Sequence, residues 1–223
     1  MGQLENNFAA AADSVGRTGN ETIAAADRAL GAARTSVRWN ISSSARDFLP
    51  GRLRIVAGRA ADYRTLARFH YLGEAPATWA GVWTARYLPP CGTAQPAAGR
   101  VVGVVVLSWP SALHAVRHRV FGLTALGFGQ RLRWVNAHLR TISRVVVHPQ
   151  FRSLGLASDL IRTAIAGCPT RYVETSARMA EAHPMFTRCG MTRAVIDDDT
   201  TRPAYFHFDR ATLLPSPGTP GEG

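Results

Sequence analysis

The sequence predicts a mixed α/β domain, and three observations carry that expectation. Two runs, 101–107 and 142–147, are apolar and β-branched enough to be buried strands. The segments 60–71 and 156–167 repeat their apolar residues at helical spacing. At the centre, a strand, a loop of little side-chain bulk, a helix and another strand follow in direct succession.

In chain order, Arg52 and Arg54 alternate with Leu53 and Ile55, the period of a half-buried strand. The segment "AADYRTLARFHY" then places Tyr63, Leu66, Ala67 and His70 on one helical face, with Asp62 in the first turn, where the helix dipole favours an anion. "RVVGVVVLSW" reads as a buried strand, and either "FGLTALG" or "RLRWVNAHL", between 111 and 140, is expected to pair beside it. "TISRVVVHP" is a second central strand, ended by Pro149, which has no amide proton for a ladder. "LASDLIRTAIAG" puts Leu156, Leu160, Ile161, Ala164 and Ile165 on one helical face, closed by Gly167 and Pro169. "RYVETSA" follows as a strand, "HPMFTRCGM" as a helix stopped by glycine, and "AYFHF" as a final strand with Ala204, Phe206 and Phe208 on one side.

The folded domain is expected over 51–212. Residues 1–50, rich in Ala, Ser, Asn and Thr without large apolar anchors, read as a poorly packed or partly helical extension. The stretch 213–223, with three Pro and three Gly, reads as a tail.

Composition narrows the function classes. No stretch reaches the roughly 20 apolar residues of a membrane helix, and Asp13 and Arg17 interrupt the only apolar N-terminal segment, so a cytoplasmic protein with no membrane partner is expected. The three cysteines, Cys91, Cys168 and Cys189, lack metal-ligand or disulfide-framework spacing, so structural thiols and no metal are expected. All 26 basic residues are arginine, which leaves no lysine for a Schiff base or a P-loop. The net charge of +11 falls entirely after residue 50, and 75–158 holds nine Arg and four His but no acid. Such a face favours an anionic partner, either a phosphorylated cofactor or nucleic acid.

The stretch "RSLGLA", Arg152, Ser153, Leu154, Gly155, Leu156 and Ala157, stands between the strand and the helix. A strand that passes through a slim loop into a helix points several amides and the positive helix end at one spot, which suits phosphate or pyrophosphate. Neither the G-x-G-x-x-G nor the G-x-x-x-x-G-K-[ST] pattern occurs.

On these residues the sequence resembles the GCN5-related N-acetyltransferase (GNAT) family, whose acyl-CoA motif [QR]-x-x-G-x-[GA] is met at Arg152, Gly155 and Ala157. The segment "MFTRCGM" is similar to the family's later [YF]-x-x-x-G-[FM], and "LRIVAGRAADYRTLARFH" to its first βα unit; the resemblance covers roughly 51–210. It implies a mixed, mostly antiparallel sheet with flanking helices whose fourth and fifth strands splay apart. Val145, Val146 and Val147 would wall that slot, and the amides of 152–157 would hold the pyrophosphate of acetyl-CoA, the implied co-substrate.

The family's usual proton-donating tyrosine corresponds to Phe186, which has no proton to give. The resemblance leaves Tyr172 and Tyr205 as candidate acids, with sheet packing as the other role for each. It leaves Glu174 as candidate base, with pairing to a neighbouring arginine as the alternative. His70, Tyr71, Glu74 and Trp79 fall where the family shapes its acceptor site, and His148 follows the core strand. The acceptor would be an amine on a small molecule, a protein or tRNA. A non-catalytic module that keeps the fold and binds acyl-CoA or nucleic acid is the competing expectation.

Overall fold

The computed structural model describes residues 49–70, 74–90, 98–178, 183–194 and 203–213. Seven strands form one sheet among them: β1 (Arg52–Ala57), β2 (Gly81–Leu88), β3 (Arg100–Ser108), β4 (Leu139–Val147), β5 (Tyr172–Ala177), β6 (Thr192–Ala194) and β7 (Ala204–Asp209). Their order is β1-β2-β3-β4-β5-β7-β6. All neighbours run antiparallel except β4 and β5. The helices are α1 (Ala60–Leu66), α2 (Ala115–Val120), α3 (Phe128–His138) and α4 (Leu156–Gly167). This is the mixed α/β order expected from the sequence, and the mostly antiparallel sheet with flanking helices that the resemblance implies.

The sheet carries an apolar layer on each face. On one, Leu156, Leu160, Ile161, Ala164 and Ile165 of α4 pack on Trp83, Ala85, Val102, Val105 and Leu107. A Cβ at Gly103 would lie 2.9 Å from Leu160 Cδ1, so the bare strand is what lets α4 seat this closely. On the other face, Tyr63 and Leu66 of α1 bury against Val104, Val106 and Val146. Asp62 fixes α1 at its start: Oδ2 accepts from the Arg59 amide at 2.9 Å, and Oδ1 accepts from the Arg86 guanidinium at 2.8 Å.

Several elements differ from expectation. Neither "FGLTALG" nor "RLRWVNAHL" is a strand: the second lies in α3 as far as His138, with Leu132 and Val135 at helical spacing and Val135 fully buried, and only its last residue, Leu139, opens β4. The alternation of Arg131 and Arg133 with Leu132 and Trp134 imitates period two by coincidence. The strand beside β3 is instead β2, which carries Trp83 and Ala85 into one apolar layer and Val82 onto the other. "HPMFTRCGM" supports only a 3-10 turn over Thr187–Cys189 before Gly190 takes φ 85°. The first helix ends at Leu66 and continues as a 3-10 turn over Ala67–Phe69.

Cys168 and Cys189 are free and buried, while Cys91 lies outside the described residues. The expected N-terminal extension, apart from residues 49 and 50, and the tail, apart from 213, also lie outside them. No helix among the described residues is long and apolar enough to cross a membrane.

Candidate active site

β4 and β5 pair at three positions only: Leu139 with Tyr172, Arg140 with Val173, and Thr141 with Glu174. Both strands run on beyond that point, to Val147 and Ala177, without further pairing between them. The register with β3 supplies the cause, because Val106 opposes Arg144 while Leu107 opposes Ile142, so Ser143 is an extra residue in β4. A bulge of this kind bends its strand and increases the local twist. Ser143 is held there by Ser108, hydroxyl to hydroxyl at 2.7 Å. At the fork, the Thr175 hydroxyl donates to the Ile142 carbonyl at 2.9 Å, replacing the ladder bond that the backbone no longer makes.

The parted strands open a cleft of about 850 Å³. Val145, Val146 and Val147 form one wall, and Thr175, Ser176 and Ala177 the other. At its mouth lie Arg152, Ser153, Gly155, Leu156 and Ala157; Phe186 and His70 also reach it. Leu154 does not line the cleft, because its side chain packs on the apolar layer beneath α4.

The loop after β4 is shaped for an anion. Pro149–Phe151 makes a 3-10 turn, and two residues then take left-handed backbone conformations: Ser153 at φ 66° and Gly155 at φ 71°. Residues other than glycine seldom adopt this conformation, and such strain collects at ligand-binding turns. Successive residues of alternating hand turn their amides inward into a concavity. Gly155 also caps α4, whose first-turn amides have no intrahelical acceptor. Among the described lining residues none is Asp or Glu, whereas Arg68, Arg144, Arg152 and Arg188 all line the cleft.

Beneath the fork lies a buried polar cluster. Glu174 is 2% exposed and receives four hydrogen bonds: Arg117 donates through Nε at 2.7 Å and through a terminal nitrogen, Thr141 donates at 2.6 Å, and Tyr205 at 2.7 Å. Arg117, 1% exposed, also donates to the Ser111 carbonyl at 2.6 Å. Burial first, and the neighbouring Glu174 carboxylate second, hold the Tyr205 phenol far above its usual range.

These contacts revise three expected roles. Glu174 sits in the arginine pair that was the alternative to a base, with its acceptor capacity filled and its carboxylate out of the cleft. Tyr205 is a buried phenol committed to that carboxylate. Tyr172 lies at the closed end of the β4–β5 pair, against Phe121 at 4.9 Å and Trp134 at 5.9 Å between ring centres. None of the three lines the cleft.

The expected acceptor residues divide. His70 lines the cleft, whereas Glu74 and Trp79 do not, and Tyr71 lies outside the described residues. Trp79 packs edge-on against Tyr63 at 5.6 Å, and the Glu74 carbonyl accepts from the cleft residue Arg144 at 3.4 Å. His148 is 8% exposed and takes an arginine hydrogen bond from Arg100 at 2.8 Å; burial, then Arg100, lower its pKa.

The sequence reading missed Ser176 and His114. Ser176 lines the cleft, and its Oγ is 3.0 Å from His114 Nε2. His114 caps α2, within the segment whose elements the sequence left ambiguous, and nothing in its immediate neighbours marks it.

The profile described as "Acetyltransferase (GNAT) family" matches residues 91–191. Similar solved structures include Arabidopsis thaliana NAA60 in complex with acetyl-CoA, at 14% identity and TM-score 0.45, covering 70% of this chain and 97% of that one. YhbS, a GNAT family N-acetyltransferase from Escherichia coli in complex with CoA, gives 14% and 0.44 over 71% and 82%. The IAA acetyltransferase from Bacillus cereus gives 12% and 0.43 over 71% and 99%. In a comparison with curated proteins, none matches the chain. The residues that match this family model span the bulged strand, the fork and the anion loop.

Proposed function

We propose that this protein is an acetyl-CoA-dependent N-acetyltransferase that moves the acetyl group directly to an amine. The observation that carries this reading is the coincidence of the β4–β5 fork with the left-handed anion loop at its mouth. The residues present fit the co-substrate. The amides of 152–157 and the Arg152 side chain suit a pyrophosphate, and the unpaired edge of β4 at Val145, Val146 and Val147 suits the amides of a pantetheine arm. Bound there, acetyl-CoA supplies an activated acyl group as a thioester. The cleft walls hold the acceptor amine against it, and that proximity replaces an encounter in solution.

The acceptor is an amine on a small molecule, a protein or a tRNA-linked group, with His70 at the entrance. A second reading, a non-catalytic acyl-CoA- or nucleic-acid-binding module, is favoured by two observations: Phe186 offers no proton, and Glu174 is sequestered.

Calorimetric titration of acetyl-CoA into the protein and into Gly155→Glu tests the first reading. Binding that is lost in the variant supports it, since the carboxylate would stand against the pyrophosphate. No binding by either protein would refute it. Release of free CoA with any amine, peptide or RNA acceptor excludes the non-catalytic module.

A further inference from the structure

We propose that Ser176 is the catalytic hydroxyl of the cleft and that His114 positions it, the pair standing in for the phenol absent at Phe186. The inference rests on the acetyltransferase reading above.

Ser176 lies two residues beyond the last β4–β5 pairing, on the strand wall where the cleft has opened. Side chains alternate along a strand, so it shares the Glu174 side of β5. Its Oγ is 3.0 Å from His114 Nε2. The other ring nitrogen, Nδ1, is 3.3 Å from the Arg117 amide, which can only donate. Nδ1 therefore carries the lone pair and Nε2 the proton, so the imidazole donates to Ser176 Oγ. Burial, its largest influence, lowers the His114 pKa and keeps the ring neutral near pH 7. The ring is further fixed by its position capping α2 and by Tyr205, 5.0 Å away between centres. Arg117, whose amide sets the tautomer, is itself anchored by Glu174.

With one lone pair of Oγ taken by His114, Ser176 keeps its own proton and a second lone pair for ligands. The acceptor nitrogen bonds to the acyl carbon, and the carbon–sulfur bond breaks. The surplus proton on nitrogen passes to Ser176 Oγ while the serine hydroxyl proton passes to the departing sulfur. Amide and free thiol result, and Ser176 and His114 end as they began. The acceptor enters as the neutral amine, its ammonium proton already given to solvent, so no carboxylate base is required, which agrees with the sequestration of Glu174.

The test uses the full chain with Ser176→Ala, His114→Gln and His114→Ala. General acid–base assistance is worth about 10²–10⁴ in rate. Ser176→Ala should therefore lose about 10²-fold in turnover or more while its acetyl-CoA affinity stays unchanged. Gln keeps a donor near the Nε2 position, so His114→Gln should retain most of the rate that His114→Ala loses. Adding Phe186→Tyr to Ser176→Ala should restore part of the loss. Independently of any acceptor, the thiol of bound CoA, titrated by its thiolate absorbance, should have a higher pKa in Ser176→Ala than in the parent protein. An unchanged thiol pKa, or turnover by Ser176→Ala at the parent rate, overturns the proposal. A parent protein that binds no acetyl-CoA overturns it together with the reading on which it rests.

Discussion

Arg117 and Glu174, 57 positions apart in the chain, meet as a two-pronged ion pair whose side chains are 1% and 2% exposed. The pair bridges the start of α2 to β5 directly beneath the fork. Removing one partner leaves the other buried and uncompensated, at a cost of about 3–5 kcal/mol. Glu174→Gln and Arg117→Met should each lower the unfolding free energy measured in urea by that much, and the double variant Arg117→Met/Glu174→Met should cost less than the sum. Additive losses would show that the two side chains act separately.

Thr175 replaces one ladder bond at the fork with a side-chain bond to the Ile142 carbonyl. Thr175→Val keeps the shape and leaves that carbonyl without its donor, which should cost about 1–3 kcal/mol. Thermal unfolding measures this, and an unchanged midpoint would mean that the bond contributes nothing.

At Gly103 the backbone of β3 lies against α4. Gly103→Val should destabilise by about 1–3 kcal/mol, because overpacked side chains must leave their preferred rotamers. Helix α4 would shift with it, so acetyl-CoA affinity should fall as well. Calorimetry on the folded variant checks the second effect.

Acid should weaken the fold through its histidines. Burial is the largest influence lowering the pKa of His114, His118, His148 and His207, and Arg100 and then Arg68 reinforce it at His148. Above the unfolded value of about 6.5 the ring is neutral in both states, so it contributes no pH dependence. As pH falls through 6.5 toward the lowered folded value, the unfolded chain takes up the proton first, and stability declines. A melting temperature that is level from pH 8 to 7 and drops below pH 6.5 is expected, with a shallower drop in His148→Gln.

The central β4–loop–α4 unit was legible because its signals are local: a β-branched run, Pro149, a slim loop, and a helical apolar face from Leu156 to Ile165. Strand β2 was not, because Trp83, Ala85 and Tyr87 alternate with Thr84 and Arg86 too mildly to stand out between two glycine- and proline-bearing stretches. The polar cluster was beyond reach for a different reason. Its members lie on three strands and one helix, and residue spacing does not encode a contact such as Ser176 with His114. The arginine alternative for Glu174 could be named from the sequence; which arginine could not.

The bulge at Ser143 also bears on how such a site can be lost. The slot is made of main-chain pairing left undone, so no exchange of Val145, Val146 or Val147 for another β-branched residue removes it. Their side chains are free to drift with the core while the opening persists. Deleting Ser143 would instead restore regular pairing with β3 while leaving Val145, Val146 and Val147 on their present faces, and close the cleft in a single genetic event.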